Sequence, residues 1–232
     1  MTPHTTLLTF EDWTLRVSPS RSTRILLMLH GWTGDENSMW VFARNFPEDY
    51  YIIAPRAPHP APETGYSWRA PAPRGSWPTL ELMRPSAERL IDLLDAFACA
   101  YDLDSSTVDV IGFSQGGAMT FTLGWLYPER MRKMGILAGF APQGAEDALR
   151  PGSLRGKHAF VAHGTHDQMV PVAQARRTIH LLESAAATVT YCESEVGHKL
   201  SADCLSALET YLRTSPSSLP AFGDLEGDPA GV

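Results

Sequence analysis

Short continuous apolar runs alternate along the chain with longer stretches in which apolar positions recur every three or four residues. Arg24–Leu29 (RILLML) is the clearest such run, the pattern of a strand buried on both faces. Tyr50–Ala54 (YYIIA), Val108–Phe113 (VDVIGF), Gly135–Phe140 (GILAGF), His158–His163 (HAFVAH) and Ala187–Cys192 (ATVTYC) read the same way. Leu7–Val17 holds edge-strand material, with a turn at Ser18-Pro19-Ser20. Helical periodicity fills the intervals. Asp35 is a good N-cap for a helix running to about Phe46. From Ser86 onward Leu90, Ile91, Leu94, Phe97, Ala98 and Tyr101 share a helical face. Ala118, Met119, Thr122, Trp125 and Leu126 continue helically from Ser114, and Pro171–Leu182 is a helix with proline near its first turn. Ser201 caps a closing helix in which Cys204, Leu205, Leu208, Tyr211 and Leu212 lie together.

Buried strands alternating with amphipathic helices predict an α/β fold, a mostly parallel sheet with helices on both faces. Residues 1–213 make one such domain. Residues 214–232 lack any period, are rich in Pro, Ser, Gly and Asp, and read as a flexible tail. Pro55–Pro78 is too dense in proline to be helix or central strand. The connection from Ala141 to Lys157 is too short and polar to form a cap domain over the sheet edge.

Charge and composition narrow the functional classes. With 19 Lys and Arg against 26 Asp and Glu, the net charge is −7, and no basic cluster interrupts it. Nucleic acid is therefore not an expected partner. The longest aliphatic run, Ile25 to Leu29, is too short for a membrane span, and the first residues lack a basic and apolar leader pattern. Cys99, Cys192 and Cys204 are an odd count without metal-ligand spacing, which reads as three buried or semi-buried thiols in a reducing compartment. The expected location is the cytoplasm.

The chemistry gathers at the carboxyl ends of the strands. Gly112-Phe113-Ser114-Gln115-Gly116 is G-x-S-x-G between a buried strand and a helix, the context of a nucleophile elbow. The glycines let the two backbones pass, and the helix N-terminus favours an oxyanion beside Ser114. A serine hydroxyl needs a base, and the order serine, acid, histidine points past the elbow. His198 follows the last strand in a short loop, and Asp167 follows the strand ending at His163. Asp167 leads as the acid that orients the imidazole, with Asp147 the runner-up. For the oxyanion hole, one donor is the Gln115 N–H. The other comes from the loop His30-Gly31-Trp32-Thr33-Gly34, with Trp32 N–H preferred and Thr33 the alternative. An indole at Trp32, close to the acyl group, should also narrow the room for long chains. Tyr66, Trp68 and Trp77 are candidates for a substrate-binding wall. His163, His166 and Asp167 invite a metal reading, but no further ligand motif accompanies them, so no metal is expected.

At Leu29-His30-Gly31, Gly112-Phe113-Ser114-Gln115-Gly116-Gly117, His163-Gly164…Asp167…Val170-Pro171 and Gly197-His198, the chain resembles the small phospholipase/carboxylesterase family of α/β-hydrolases, which includes acyl-protein thioesterases. The resemblance runs from about Arg24 to Leu212. It implies a cofactor-free hydrolase of small-molecule carboxylic esters or thioesters, often a homodimer. Ser114, Asp167 and His198 carry over as triad, with Trp32 and Gln115 as oxyanion donors. Family members commonly hold an aliphatic residue where Trp32 stands, and the Pro55–Pro78 segment departs from the thioesterase loop. An open site with an apolar wall suits short to medium acyl esters. The alternatives are a thioesterase or lysophospholipase using the same triad, and a non-catalytic binding module on the same fold.

Overall fold

The computed structural model describes residues 4–73, 75–148 and 150–214. The tail expected at 214–232 lies, apart from Thr214, outside the described residues. An eight-stranded sheet forms the middle layer, in the order β1 (Thr6–Phe10), β2 (Trp13–Ser18), β4 (Tyr51–Pro55), β3 (Arg24–Leu29), β7 (Asp104–Phe113), β8 (Met131–Leu137), β9 (His158–Gly164) and β10 (Thr188–Ser194). From β4 to β10 every neighbouring pair is parallel; β1 and β2 form an antiparallel hairpin on the β4 edge. This is the α/β-hydrolase fold, and among the described residues no cap domain is inserted between the strands.

Strand β3 shows why a continuous apolar run was required. Ile25, Leu27 and Leu29 pack into the core on one face of the sheet, while Leu26 and Met28 pack into the core on the other, and all five are fully buried. The first core is closed by α1 (Leu80–Tyr101), α2 (Gln115–Leu126) and α4 (Val172–Ser184). The second is closed by α5 (Ala202–Arg213) through Cys204, Leu208, Tyr211 and Leu212. Full burial of large apolar side chains contributes roughly 1.5–3 kcal/mol each, so α5 is held by its apolar face rather than by helix propensity.

Polar groups fasten the opposite end of α5. The Lys133 ammonium, buried in β8, donates to the carbonyls of Tyr211, Leu212 and Thr214 at 2.6–2.8 Å. These last-turn carbonyls have no partner within the helix, and the cation also complements the helix dipole. Burial pushes the Lys133 ammonium down to about 8. Nearby Asp109, fully buried, accepts from Arg132 at 2.8 Å and from the Tyr50 hydroxyl.

Three local readings are corrected and a fourth, the edge strand at Leu7–Val17, is refined. The chain from Asp35 to Phe46 is not a helix but two short 3-10 turns, Ser38–Val41 and Ala43–Asn45. Met39, Ala43 and Phe46 are buried as a helix would bury them, yet Glu36 is drawn into a two-pronged ion pair with Arg56 at 2.8 and 3.0 Å. Helix α1 begins at Leu80, before Pro85, because the Thr79 side chain caps it by accepting from Leu82 N–H. Edge material at Leu7–Val17 is a hairpin, turned at Glu11, whose φ is +50°. Finally, Cys192 and Cys204 form a disulfide, and Cys99 is exposed. Two cysteines far apart in sequence pattern meet because α5 docks beside β10, and the bond removes the thiol argument for a reducing compartment. Among the described residues no helix is long and apolar enough to cross a membrane.

Candidate active site

Ser114 sits between β7 and α2 with φ +55° and ψ −115°, a conformation that L residues rarely adopt. Two close approaches enforce it. A Cβ on Gly112 would lie 2.1 Å from the Gly116 carbonyl oxygen, and one on Gly116 would lie 2.0 Å from that of Leu29. Ser114 N–H donates to the Leu137 carbonyl at 2.8 Å, and the Ser114 carbonyl accepts from Ala118 N–H, so the turn is fixed on both sides.

Asp167 lies in the loop after β9, its side chain fully buried. Oδ1 accepts from the N–H groups of Met169 and Val170, both at 2.9 Å. Oδ2 faces His198 Nδ1 at 2.6 Å. With the carboxylate accepting, Nδ1 carries the proton and Nε2 is left with its lone pair free. His163 reinforces the same loop. Its Nε2 donates to the Val170 carbonyl at 2.7 Å, and burial lowers its pKa, so it is neutral. The His163, His166 and Asp167 cluster is divided by these bonds: His166 is exposed while the other two are buried and engaged with the loop.

The loops bearing Asp167 and His198 are joined through their backbones. Thr165 N–H donates to the Ser194 carbonyl at 2.8 Å, and His166 N–H donates to that of Val196 at 3.0 Å. Gly164 permits the approach, since a Cβ there would fall 2.2 Å from the Val196 oxygen and 2.4 Å from the Gly197 oxygen. Gly164→Ala is therefore expected to push the His198 loop outward and lower kcat/KM about a hundredfold, the usual cost of an ångström-scale misplacement. Steady-state kinetics beside a circular-dichroism melt would check this; unchanged kcat/KM in a folded variant would refute it.

No hydrogen bond joins the Ser114 hydroxyl to His198 among the described residues. The two are neighbours through Phe113, whose ring centroid lies 4.9 Å from the imidazole. Such contacts are often long before substrate binds. Gly31 packs against the elbow from the other side: a Cβ on it would lie 3.4 Å from Ser114 Cβ. The next N–H, that of Trp32, has no acceptor among the described residues, whereas Thr33 N–H is taken by the Tyr66 carbonyl at 3.0 Å. Gln115 N–H, first in α2, likewise has no intrahelical acceptor. Of the two loop donors considered, only Trp32 is free.

A model of the phospholipase/carboxylesterase family matches residues 16–216. The chain belongs to the phospholipase/carboxylesterase family. Its fold is shared with the Bacillus cereus carboxylesterase (22% identity, 87% of this chain and 94% of that one covered, TM-score 0.78). It is shared too with a carboxylesterase from Mesorhizobium loti (19%, 90% and 98%, 0.76) and with SOBER1 of Arabidopsis thaliana (22%, 82% and 97%, 0.68). The protein is an ester hydrolase of this family.

In this esterase the three aromatics expected to form a substrate wall take different places. Trp68 is fully buried and cannot touch a substrate. Its indole N–H donates to the His30 carbonyl at 2.7 Å, and its backbone N–H donates to the Gln115 side chain at 2.9 Å. It is a support under the Gly31–Trp32 loop, packed there because that polar N–H finds a buried acceptor. Tyr66 is half-buried, with Arg56 above its ring and bonded to its hydroxyl at 3.1 Å. Trp77 stands edge-on to Phe140 and lines a cavity of about 350 Å³ with Ala141, Gln143, Glu146, Gln174 and Arg177. None of Ser114, Asp167 and His198 lines that cavity. Trp32 is 53% exposed. Sequence reading missed the tilted ring contacts that Phe113 makes with Phe42 and with His198, although Phe113 stood in the motif itself.

Proposed function

We propose that this esterase hydrolyses short to medium acyl carboxylic esters through Ser114, His198 and Asp167, by way of an acyl-enzyme. The observation that carries the reading is the Asp167–His198 pair, with Nδ1 and Oδ2 at 2.6 Å and the other carboxylate oxygen tied by two N–H groups. A carboxylate so fixed can hold one tautomer and stabilise the imidazolium that forms. His198 Nε2 takes the Ser114 proton as Oγ attacks the ester carbonyl. The tetrahedral oxyanion points to the N–H groups of Trp32 and Gln115, each such donor being worth about 3–4 kcal/mol in related acyl transfers. The imidazolium returns its proton to the departing alkoxide, leaving the acyl group on Ser114. Water, deprotonated by the same imidazole, releases the acid. The partner in this reading is a small-molecule ester, with a second copy of the chain the further partner implied by the family resemblance.

A panel of p-nitrophenyl esters of increasing acyl length, with a fluorophosphonate probe read by peptide mapping, tests the proposal. Ester turnover with labelling at Ser114 is expected; labelling at another serine would overturn it. Trp32 bears on chain length. Because Trp32 follows Gly31, which packs against Ser114, Trp32→Leu is expected to shift the acyl optimum toward longer chains. Relieving an overfilled contact changes relative kcat/KM by about tenfold or more. Activity on the acetate ester should persist, since the donor is backbone. An unchanged length profile would rule this role out.

A further inference from the structure

The loop that carries His198 has no buried side chain to anchor it, only two short backbone turns, Val196 N–H to the Ser194 carbonyl and Lys199 N–H to the Gly197 carbonyl, both at 2.8 Å. None of residues 193–200 is buried, whereas the loop bearing Asp167 is anchored by buried Val170 and His163. His198 lies midway between Cys192 and Cys204, whose sulfurs are joined. Cys192 is in β10, paired in register with Ala162 of β9, so one end of the loop is part of the sheet. Cys204 is in the first turn of α5, 1% exposed, where its N–H donates to the capping hydroxyl of Ser201 at 3.1 Å. Ser194 Oγ bonds the Ser201 hydroxyl at 2.8 Å and approaches Cys204 Sγ at 3.2 Å, so both ends of the loop meet at the disulfide.

We infer that the Cys192–Cys204 disulfide is a positioning element for His198, and that its reduction lowers catalytic turnover while leaving substrate binding almost unchanged. The inference rests on His198 being the base. The bond fixes the span that the loop must close, and the two backbone bonds from Thr165 and His166 then set where the imidazole lies. Without it, the only side-chain link left between the two ends of the loop is the Ser194–Ser201 contact, a hydroxyl pair that water can replace, while the backbone bonds to the Asp167 loop and the packing of α5 remain. Misplacing a base by about an ångström can cost a hundredfold in rate, while the acyl and oxyanion contacts on Trp32 and Gln115 are untouched. Reduction requires a dithiol. Its thiolate attacks Sγ of Cys192, the less buried of the two residues, and Cys204 leaves as a thiolate that takes up a proton. The second thiol of the reductant then resolves the mixed disulfide, releasing Cys192 as a thiol. Two electrons and two protons reach the protein, and the reductant ends as a cyclic disulfide.

The test uses the full chain in a Cys99→Ser background, with thiols counted after denaturation. Mild oxidant should give none and dithiothreitol two. On p-nitrophenyl acetate, at a temperature where circular dichroism shows both forms folded, reduction is expected to lower kcat about ten- to a hundredfold with KM within about twofold. Reoxidation should restore it. A Cys192→Ala/Cys204→Ala double variant should match the reduced enzyme and ignore dithiol. If the cross-link were merely structural, reduction would lower the melting temperature and leave kcat alone. Equal kcat in the two thiol states, a double variant as active as the oxidised enzyme, or two thiols that oxidant does not remove would each overturn the inference. An oxidised enzyme that neither turns over esters nor takes the fluorophosphonate would instead sink the catalytic reading, and the clamp with it.

Discussion

Asp167→Asn is expected to lower kcat by about 10⁴, the cost of the same change in a serine protease triad. The bonding around the side chain says why. Asp167 Oδ1 accepts two backbone N–H groups, from Met169 and Val170, so an asparagine must keep its carbonyl oxygen there. Its NH₂ then takes the place of Oδ2 and donates to His198 Nδ1. That nitrogen becomes an acceptor, the ring proton moves to Nε2, and the atom facing the nucleophile no longer has a lone pair to take its proton. A flipped amide would set its NH₂ against two other donors in a buried pocket, which is worse. Asp147→Asn supplies the contrast, since Asp147 is exposed in the short helix α3 (Ala145–Ala148) and should matter little. Measuring kcat on the acetate ester for both variants decides the matter; interchanged results would assign the acid to Asp147.

Ser114→Ala is expected to remove turnover almost entirely, by about 10⁶ if it behaves like the nucleophile of subtilisin. The fold should persist. The positive φ of the turn is imposed by the glycines on either side and by the bond to the Leu137 carbonyl, all of which remain. Alanine is no bulkier than serine, so the strain is the same. Residual hydrolysis above the level in water would come from the oxyanion donors alone. Burst kinetics together with a melting curve would check both halves, and a folded variant retaining a tenth of the activity would remove Ser114 from the mechanism.

How far the sequence could be read depended on whether a feature was local. Arg24–Leu29 needed no partner to declare itself, because a strand buried on both faces must be apolar at every position. The elbow was equally legible, since its glycines answer to contacts within one strand–turn–helix unit. Asp35–Phe46 was misread because buried residues spaced four and three apart fit both a helix and a pair of 3-10 turns. The ion pair between Glu36 and Arg56, across the sheet edge, accompanies the second. Trp68 looked like a wall because its loop was expected to flank a site left open by the short connection from Ala141 to Lys157. What buried it was an acceptor on His30, distant in sequence. The disulfide lay furthest from view, for it exists only once α5 has docked on β10.

That docking has a mechanical consequence. Helix α5 is pinned at its carboxyl end by the Lys133 ammonium and the Tyr50 hydroxyl, and it meets the histidine loop at its amino end. A twelve-residue helix is about 18 Å long, so it works as a lever arm. A tilt of about 5° around Lys133 carries the first turn by roughly 1.6 Å, the scale on which a base falls out of reach. Disturbance of the pin, near the amino end of β8, is thus delivered magnified to the loop that carries His198, the base of the proposed mechanism.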